Sequence, residues 1–236
     1  MLEMSRDHAP FNQLLASLSS GDRARLQPHL SAVNLKLKRQ LEIPNRPIEN
    51  IYFLHTGFAS VVAMQSATQI EIGLIGREGM TGSAVLLGNG QSPHSTYIQA
   101  VGTGERIATN ELRKATEESA TLHRMLLKSV QAFTVQTAHT AIANARARVP
   151  ERLARWILMA QDRLGEAELP LTHEFLALML GVRRSGVTEA LIELRRRKLI
   201  EAKRGEIIVL NRKGLERLAG KFYGLPEQEH RRLLGA

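Results

Sequence analysis

The sequence contains no cysteine. Disulfides, a thiol redox sensor and a cysteine-ligated iron–sulfur cluster are therefore excluded, and the chain is compatible with a reducing cytosol. It has no apolar run of the roughly 18 residues that a membrane helix needs. The opening stretch, MLEMSRDHAP, lacks the apolar core of a signal peptide, so a cytoplasmic protein with no membrane partner is expected. Internal repeats and low-complexity segments are absent as well. No nucleophile–base pair, phosphate loop or pair of carboxylates stands out, so catalysis is not expected.

What is present is an ordinary globular composition. With 236 residues, 43% hydrophobic and 23% charged, there is room for two modest domains. The formal charge of +9 is unevenly spread. Residues 1–145 carry 13 basic and 11 acidic side chains, and residues 146–236 carry 19 and 12. A basic C-terminal part beside a near-neutral one points to a polyanion met by the C-terminal part alone.

Leu171 to Asn211 is the most informative stretch. Thr172 precedes a periodic apolar run and suits an N-cap, with Glu174 in the first turn. Leu176, Ala177 and Leu180 share one face, and Gly181 supplies the positive φ of a sharp turn. Val187, Ala190, Leu191 and Leu194 then form the inner face of a second helix. This spacing predicts a helix-turn-helix. The outer face of the second helix carries Arg183, Arg184, Ser185, Thr188, Glu189, Arg195 and Arg196, side chains whose donors and acceptors suit base edges in the major groove. Two short β runs, from Ile200 and from Glu206, flank Arg204-Gly205 and predict a hairpin. That hairpin makes a wing, with Lys203 and Arg204 directed at phosphates. An arginine-rich face alone would equally suit a solvated surface helix; the coincidence of turn, small residues and hairpin favours double-stranded DNA.

Earlier in the chain, Phe11, Leu14, Leu15 and Leu18 share a helical face, Ser20 is a candidate cap, and a break is expected at Gly21. From Val33 the period becomes that of strands. Short segments at Asn50–Leu54, Phe58–Ala63, Gln69–Ile75, Thr96–Val101 and Glu105–Ala108, separated by glycine turns, predict a small antiparallel barrel or jelly roll. Thr109 or Asn110 is the candidate cap of the next helix. A long helix then runs from about Ser119 to Arg148. Along it Leu126, Val130, Phe133, Thr137, Thr140, Asn144 and Ala147 repeat at spacings of four and three, the seam of a two-stranded coiled coil. The same stripe could instead cover the barrel. Thr137, Thr140 and Asn144 are poor core residues, which favours a homodimer. Pro150 interrupts the pattern and biases Val149 away from helix, so Arg148–Glu151 reads as a hinge, with helix resuming from Glu151 to Leu164. A helix from Lys213 to Lys221 and a frayed basic end are expected to follow.

Barrel, long helix, hinge and C-terminal winged helix, in this order, resemble the Crp/Fnr family of bacterial transcription regulators. The resemblance covers about Phe11 to Gly220 and is carried by the winged helix, the hinge run ARVPERLARWILMAQDRL and the barrel run from Tyr52 to Gly57. It implies an α+β chain of three parts: a cyclic-nucleotide-binding-like sensor barrel over 1–118, a dimerisation helix over 119–148, and a winged helix-turn-helix domain over 149–236.

The effector cassette departs from the family's pattern. There a Gly-Glu pair and an Arg-Ser pair hold the ribose and the cyclic phosphate. Here the matching stretch reads Gly82-Ser83 and, after one extra residue, His94-Ser95-Thr96, with Thr137 on the long helix as a further pocket residue. Neutral histidine replaces a permanent two-pronged guanidinium poorly. Cyclic AMP or cyclic GMP is therefore expected to bind poorly or not at all, and no cofactor is assigned. His55, His94 and His123 are lone histidines rather than haem ligands, and His55 and His94 show no metal spacing with Glu71 or Glu78. The recognition helix also departs: the family's Arg-Glu and later Arg correspond to Arg184, Ser185 and Glu189.

The sequence thus predicts a homodimeric, sequence-specific DNA-binding regulator on a near-palindromic operator, with a non-canonical or absent effector. RNA polymerase is a candidate second partner. Two other classes stay open: a ligand sensor whose winged helix docks a protein, and a cupin-like barrel enzyme.

Overall fold

The computed structural model describes residues 12–65 and 68–235. Phe11, placed above on the first helical face, lies outside them. Two short helices open the described chain, α1 (Gln13–Ala16) and α2 (Ser20–Leu26). Ser19 rather than Ser20 caps α2, its hydroxyl accepting from the Asp22 amide, and Gly21 lies inside the helix instead of breaking it.

Seven strands follow: β1 (Ser31–Leu35), β2 (Gln40–Glu42), β3 (Asn50–Leu54), β4 (Phe58–Gln65), β5 (Thr68–Ile75), β6 (Ser95–Ala100) and β7 (Gly102–Ala108), with helix α3 (Ser83–Leu86) between β5 and β6. All pair antiparallel, in two sheets of order β1-β7-β3 and β2-β6-β4-β5. Leu35, Tyr52 and Leu54 from one sheet meet Ala59, Val61, Ile75 and Ile98 from the other in a shared core. The two sheets form an open roll, not a closed barrel, because each keeps its own edge strands. The expected strands are all present, and β2 is an addition too short to show a period.

Helix α4 (Thr109–Glu118) begins at Thr109 itself. Ala108 holds the cap position, so neither Thr109 nor Asn110 caps the helix, and the Thr109 hydroxyl donates to the Ile48 carbonyl at 2.5 Å instead. Helix α5 (Ala120–Arg146) is capped by Ser119, whose hydroxyl accepts from the Leu122 amide. Its inner stripe is Leu122, Leu126, Ser129, Ala132, Gln136 and Ala143. Leu126 is fully buried in the same cluster as Leu14, Phe53 and Ile107. Gln136 clamps β5, accepting from the Leu74 amide at 2.7 Å and donating to the Leu74 carbonyl at 3.1 Å.

The chain breaks helix at Ala147 and Arg148, both extended, and resumes as α6 (Val149–Leu164). Val149 is therefore helical, contrary to the bias expected from Pro150. Proline is tolerated in a first turn, where its missing N–H would have had no partner. Glu151 holds the new start, its carboxylate accepting from the Arg148 amide at 2.9 Å.

A short strand β8 (Glu168–Leu169) leads into α7 (His173–Leu180), α8 (Arg184–Arg196), β9 (Ile200–Lys203) and β10 (Glu206–Val209), the three strands forming a sheet of order β8-β10-β9. Helix α9 (Arg212–Ala219) follows, and then α10 (Leu225–Leu234). The expected frayed basic end is thus a helix that returns to α5, with Leu233 and Leu234 packed into the cluster beneath α1 and α5. Arg231 and Arg232 are exposed while two leucines supply the anchor, a pattern too short to read as amphipathic from sequence.

The largest cluster crosses from the roll to the C-terminal elements. Phe58, Val62, Leu74 and Ala100 pack with Trp156, Leu176, Leu194 and Leu215. Trp156 meets Phe58 and Phe175 edge-on, with ring centroids 6.1 and 5.3 Å away. Its indole N–H donates to Glu71 Oε1 at 2.5 Å, and the Ser60 hydroxyl donates to Glu71 Oε2 at 2.6 Å. Buried Arg155 adds a second tie, from Nε to the Phe222 carbonyl and from Nη2 to the Thr140 hydroxyl. Among the described residues no helix is long and apolar enough to cross a membrane.

Candidate nucleic-acid interface

Helix α7 starts as its sequence dictates: the Thr172 hydroxyl accepts from the Phe175 amide at 3.2 Å. It ends at Gly181 with φ +59°. A β-carbon there would meet the Ile70 side chain at 3.1 Å, so glycine serves both the turn and the approach of β5. Val187, Ala190, Leu191 and Leu194 then bury the inner face of α8. Any face opposite these four is held in solvent by the packing of α8 itself.

That outer face carries Arg183, Arg184, Ser185, Thr188, Glu189, Arg195 and Arg196, none of them buried. Arg184 and Ser185 open the helix, and Thr188 and Glu189 lie one turn on, so the four cover adjacent strips. Arg195 and Arg196 stand at the other end. Lys203 and Arg204 are exposed on the tip of the β9–β10 wing, where Gly205 has φ +79°. The fold therefore gathers all nine residues on accessible parts of one small domain: the start of α8, its end, and the wing. Arg184 pairs with Glu174 at 2.7 Å. Both side chains are well exposed, so the pair is worth at most about 1 kcal/mol and yields readily to another partner.

Three features of this face have little or no signal in the sequence. Ile192 is an exposed apolar side chain between Thr188 and Arg195, 43% accessible. His173 Nδ1 lies 3.4 Å from the Thr188 hydroxyl and limits its rotation. Gly186 sits inside α8 with open space around its α-carbon, which costs the helix roughly 1 kcal/mol relative to alanine. Its only sequence signal is that cost, a glycine placed where helix propensity would reject it.

The cassette residues fall on the roll. Gly82 has φ +75° and a β-carbon there would overlap Ile51 Cδ1. Its amide donates to Glu42 Oε1 at 2.8 Å. Burial pushes the Glu42 carboxyl up, while the Gly82 amide and the nearby Thr96 hydroxyl draw it back. Ser83 begins α3, Ser95 donates to Gln40 at 3.1 Å, and His94 is half-buried. Thr137 returns its hydroxyl to the Phe133 carbonyl one turn back. His55 pairs with Glu105 at 3.2 Å. Among the described residues no three histidine or acidic side chains gather as a metal-binding group.

Along α5, the stripe read as a seam divides. Leu126 belongs to the chain's own core, so its placement in a seam between two chains is corrected: it is already fully buried within one. Phe133 packs against β5, where a β-carbon at Gly73 would meet its ring at 2.7 Å. Thr140 is bonded to Arg155. Val130, Thr137 and Asn144 are half-buried. The stripe follows the roll because α5 is continuous over 27 residues, and one helix cannot turn the same residues both inward and outward.

Residues 151–218 match the family model of the Crp-like helix-turn-helix domain. No curated protein matches the chain. Among solved structures, a transcriptional regulator of the Crp/Fnr family from Eubacterium rectale ATCC 33656 is 17% identical, with a TM-score of 0.69 over 87% of this chain and 97% of that one. The c-di-GMP-responsive global regulator CLP of Xanthomonas campestris is 14% identical, with a TM-score of 0.67 over 81% and 99%. A Crp/Fnr-family regulator of Thermus thermophilus is 23% identical, with a TM-score of 0.63 over 80% and 98%. This chain thus carries a Crp-like helix-turn-helix domain within the fold of the Crp/Fnr regulators.

Proposed function

We propose that the chain is a homodimeric, sequence-specific transcription regulator whose two recognition helices, α8 of each protomer, enter successive major grooves of a near-palindromic operator. The observation that carries this reading is the two-faced α8: four apolar residues locked inward, and Arg184, Ser185, Thr188 and Glu189 open to solvent beside a basic wing. Arg184 at the helix start is the base-reading arginine, suited to a bidentate guanine contact. Arg195, Arg196, Lys203 and Arg204 are phosphate contacts that set orientation and salt dependence.

The test is selection of bound sequences from a random DNA pool, followed by binding of the selected site by variants. Arg184→Ala should lose about 1–3 kcal/mol on the selected site and little on random DNA. Lys203→Ala should weaken both alike and lower the salt slope by about one. Equal losses from the two variants on both DNAs would sink this assignment of roles.

The domain limits proposed are the roll over 1–118, the dimer helix over 119–148 and the winged helix over 149–236. For the dimer, the exposed side of α5 suits a seam better than the inward stripe. Val135, Ala138, Ile142 and Ala145 follow each other at spacings of three and four, and Ile142 is 49% accessible. Ile142→Glu should therefore dissociate the dimer, since burying each isoleucine is worth about 1.5–3 kcal/mol and two opposed carboxylates repel. Sedimentation equilibrium reads this directly; an unchanged dimer mass would move the interface off α5.

The roll is proposed to work without cyclic nucleotide. The Gly82 amide, the group that a cyclic phosphate would need, is already held by the chain's own Glu42 carboxylate. A phosphate arriving there would have to displace a buried acceptor already in place. The cassette residues Ser83, His94, Ser95, Thr96 and Thr137 offer no guanidinium in compensation.

A further inference from the structure

A cleft of about 330 Å³ lies away from the cassette. It opens between the end of β5 with its following turn, α5, the last turn of α6 and α10. None of Gly82, Ser83, His94, Ser95, Thr96 and Thr137 lines it. The volume falls at the lower end of the range for small-molecule sites. Ile75, Phe133 and Pro226 supply apolar parts of its wall.

The charges around this wall are not balanced in what they leave free. Glu78 is taken by Arg163 at 2.7 Å. Asp162 is taken by Arg212 at 2.7 Å and by the Tyr223 hydroxyl at 2.7 Å. Glu227 accepts from the Gly224 amide at 2.9 Å, capping α10. By contrast, the guanidiniums of Arg77 and Arg231 make neither an ion pair nor a hydrogen bond among the described residues. A third arginine, Arg163, lines the cleft at 8% accessibility; its Nη atoms are paired and its Nε is buried with no hydrogen-bond partner. An orphaned donor on a buried guanidinium is costly unless something accepts from it.

We infer that this cleft binds a small organic carboxylate with an aromatic or branched apolar body. The carboxylate sits between Arg77 and Arg231, with the buried Arg163 guanidinium adding positive charge behind them, and the body lies on Phe133 and Ile75. Arginine forks match a carboxylate in geometry and charge. A phosphate dianion fits less well, because Glu78, Asp162 and Glu227 also line the cleft and repel the second charge. Arg77 belongs to the roll and Arg231 to α10, so an occupant stabilises the arrangement in which α10 lies against the roll.

The experiment is calorimetric titration of the full chain with 2-naphthoate, 2-naphthamide and 2-naphthyl phosphate. The carboxylate should bind saturably at one site per protomer, and the neutral amide at least about tenfold more weakly. Arg77→Ala and Arg231→Ala should each weaken the carboxylate about tenfold. Both side chains are unpaired among the described residues, so these variants should keep the wild-type circular dichroism. Absence of saturable carboxylate binding, equal binding of the amide, tighter binding of the phosphate, or unchanged affinity in both variants would each overturn the inference. The readout is independent of DNA, so its failure leaves the regulator reading standing, and the reverse also holds.

Discussion

Replacing Trp156 by alanine should cost about 3–5 kcal/mol, the range for deleting a fully buried aromatic ring. Trp156 is 3% accessible and lies where Phe58 of the roll and Phe175 of the helix-turn-helix meet. Its loss would open a cavity and also take a donor from a carboxyl group that is 4% accessible. Trp156→Phe separates these effects. Phenylalanine keeps much of the apolar contact but has no N–H, so it should lose about 1–3 kcal/mol, the cost of one unsatisfied buried acceptor. Urea denaturation of the three proteins at one pH gives both values. A loss below about 1 kcal/mol for the alanine variant would show that the joint between roll and winged helix is not held here.

Stability should fall as pH rises from about 5 to 8, and Glu71→Gln should remove that fall. Burial is the main cause that raises the Glu71 carboxyl from 4.5 to about 7; the Ser60 and Trp156 donors and the charges of Arg163 and Arg155 oppose it. Tyr97, which also faces this group, is pushed up to about 12, first by its own burial and then by Glu71, and stays neutral over this range. Between these limits the folded chain holds a proton that the unfolded chain has released. The stabilising contribution of this group is thus full below about 4.5 and is lost as pH rises through about 7, a change of about 3 kcal/mol. Glutamine preserves both contacts, its oxygen accepting from the indole and its amide donating to Ser60. Denaturant midpoints across this pH range for wild type and Glu71→Gln are the measurement. Parallel curves would mean that Glu71 is ionised throughout.

Much of this molecule is legible in its sequence because the signals are local. The winged helix shows in the period of Leu176 to Leu194, in Thr172 before it and in Gly181 at the turn. The strands of the roll show through their separating glycines and asparagines. What is not legible depends on residues far apart. Glu71 looks like any outward strand residue until Trp156, 85 positions later, is seen to donate to it. Glu42 gives no hint that it occupies the Gly82 amide. The stripe on α5 has the period of a seam, yet Leu126, Phe133 and Thr140 lie against the chain's own elements. A helix that covers a roll on one side and can meet a second chain on the other carries two apolar strips, and period alone does not say which is which. Helix α10 escapes a reading by period because two leucines do not make a stripe.

The return of α10 also bears on how the molecule is made. Leu14, Leu15 and Leu234 share one cluster, so a seat beside the first helices stays empty while everything between them is synthesised. Elongation proceeds at roughly 5–20 residues per second, and the early part of a chain folds first. For seconds, then, the nascent roll presents greasy ground to water and to chaperones. A chain that stops before Leu225 would leave that ground bare to water.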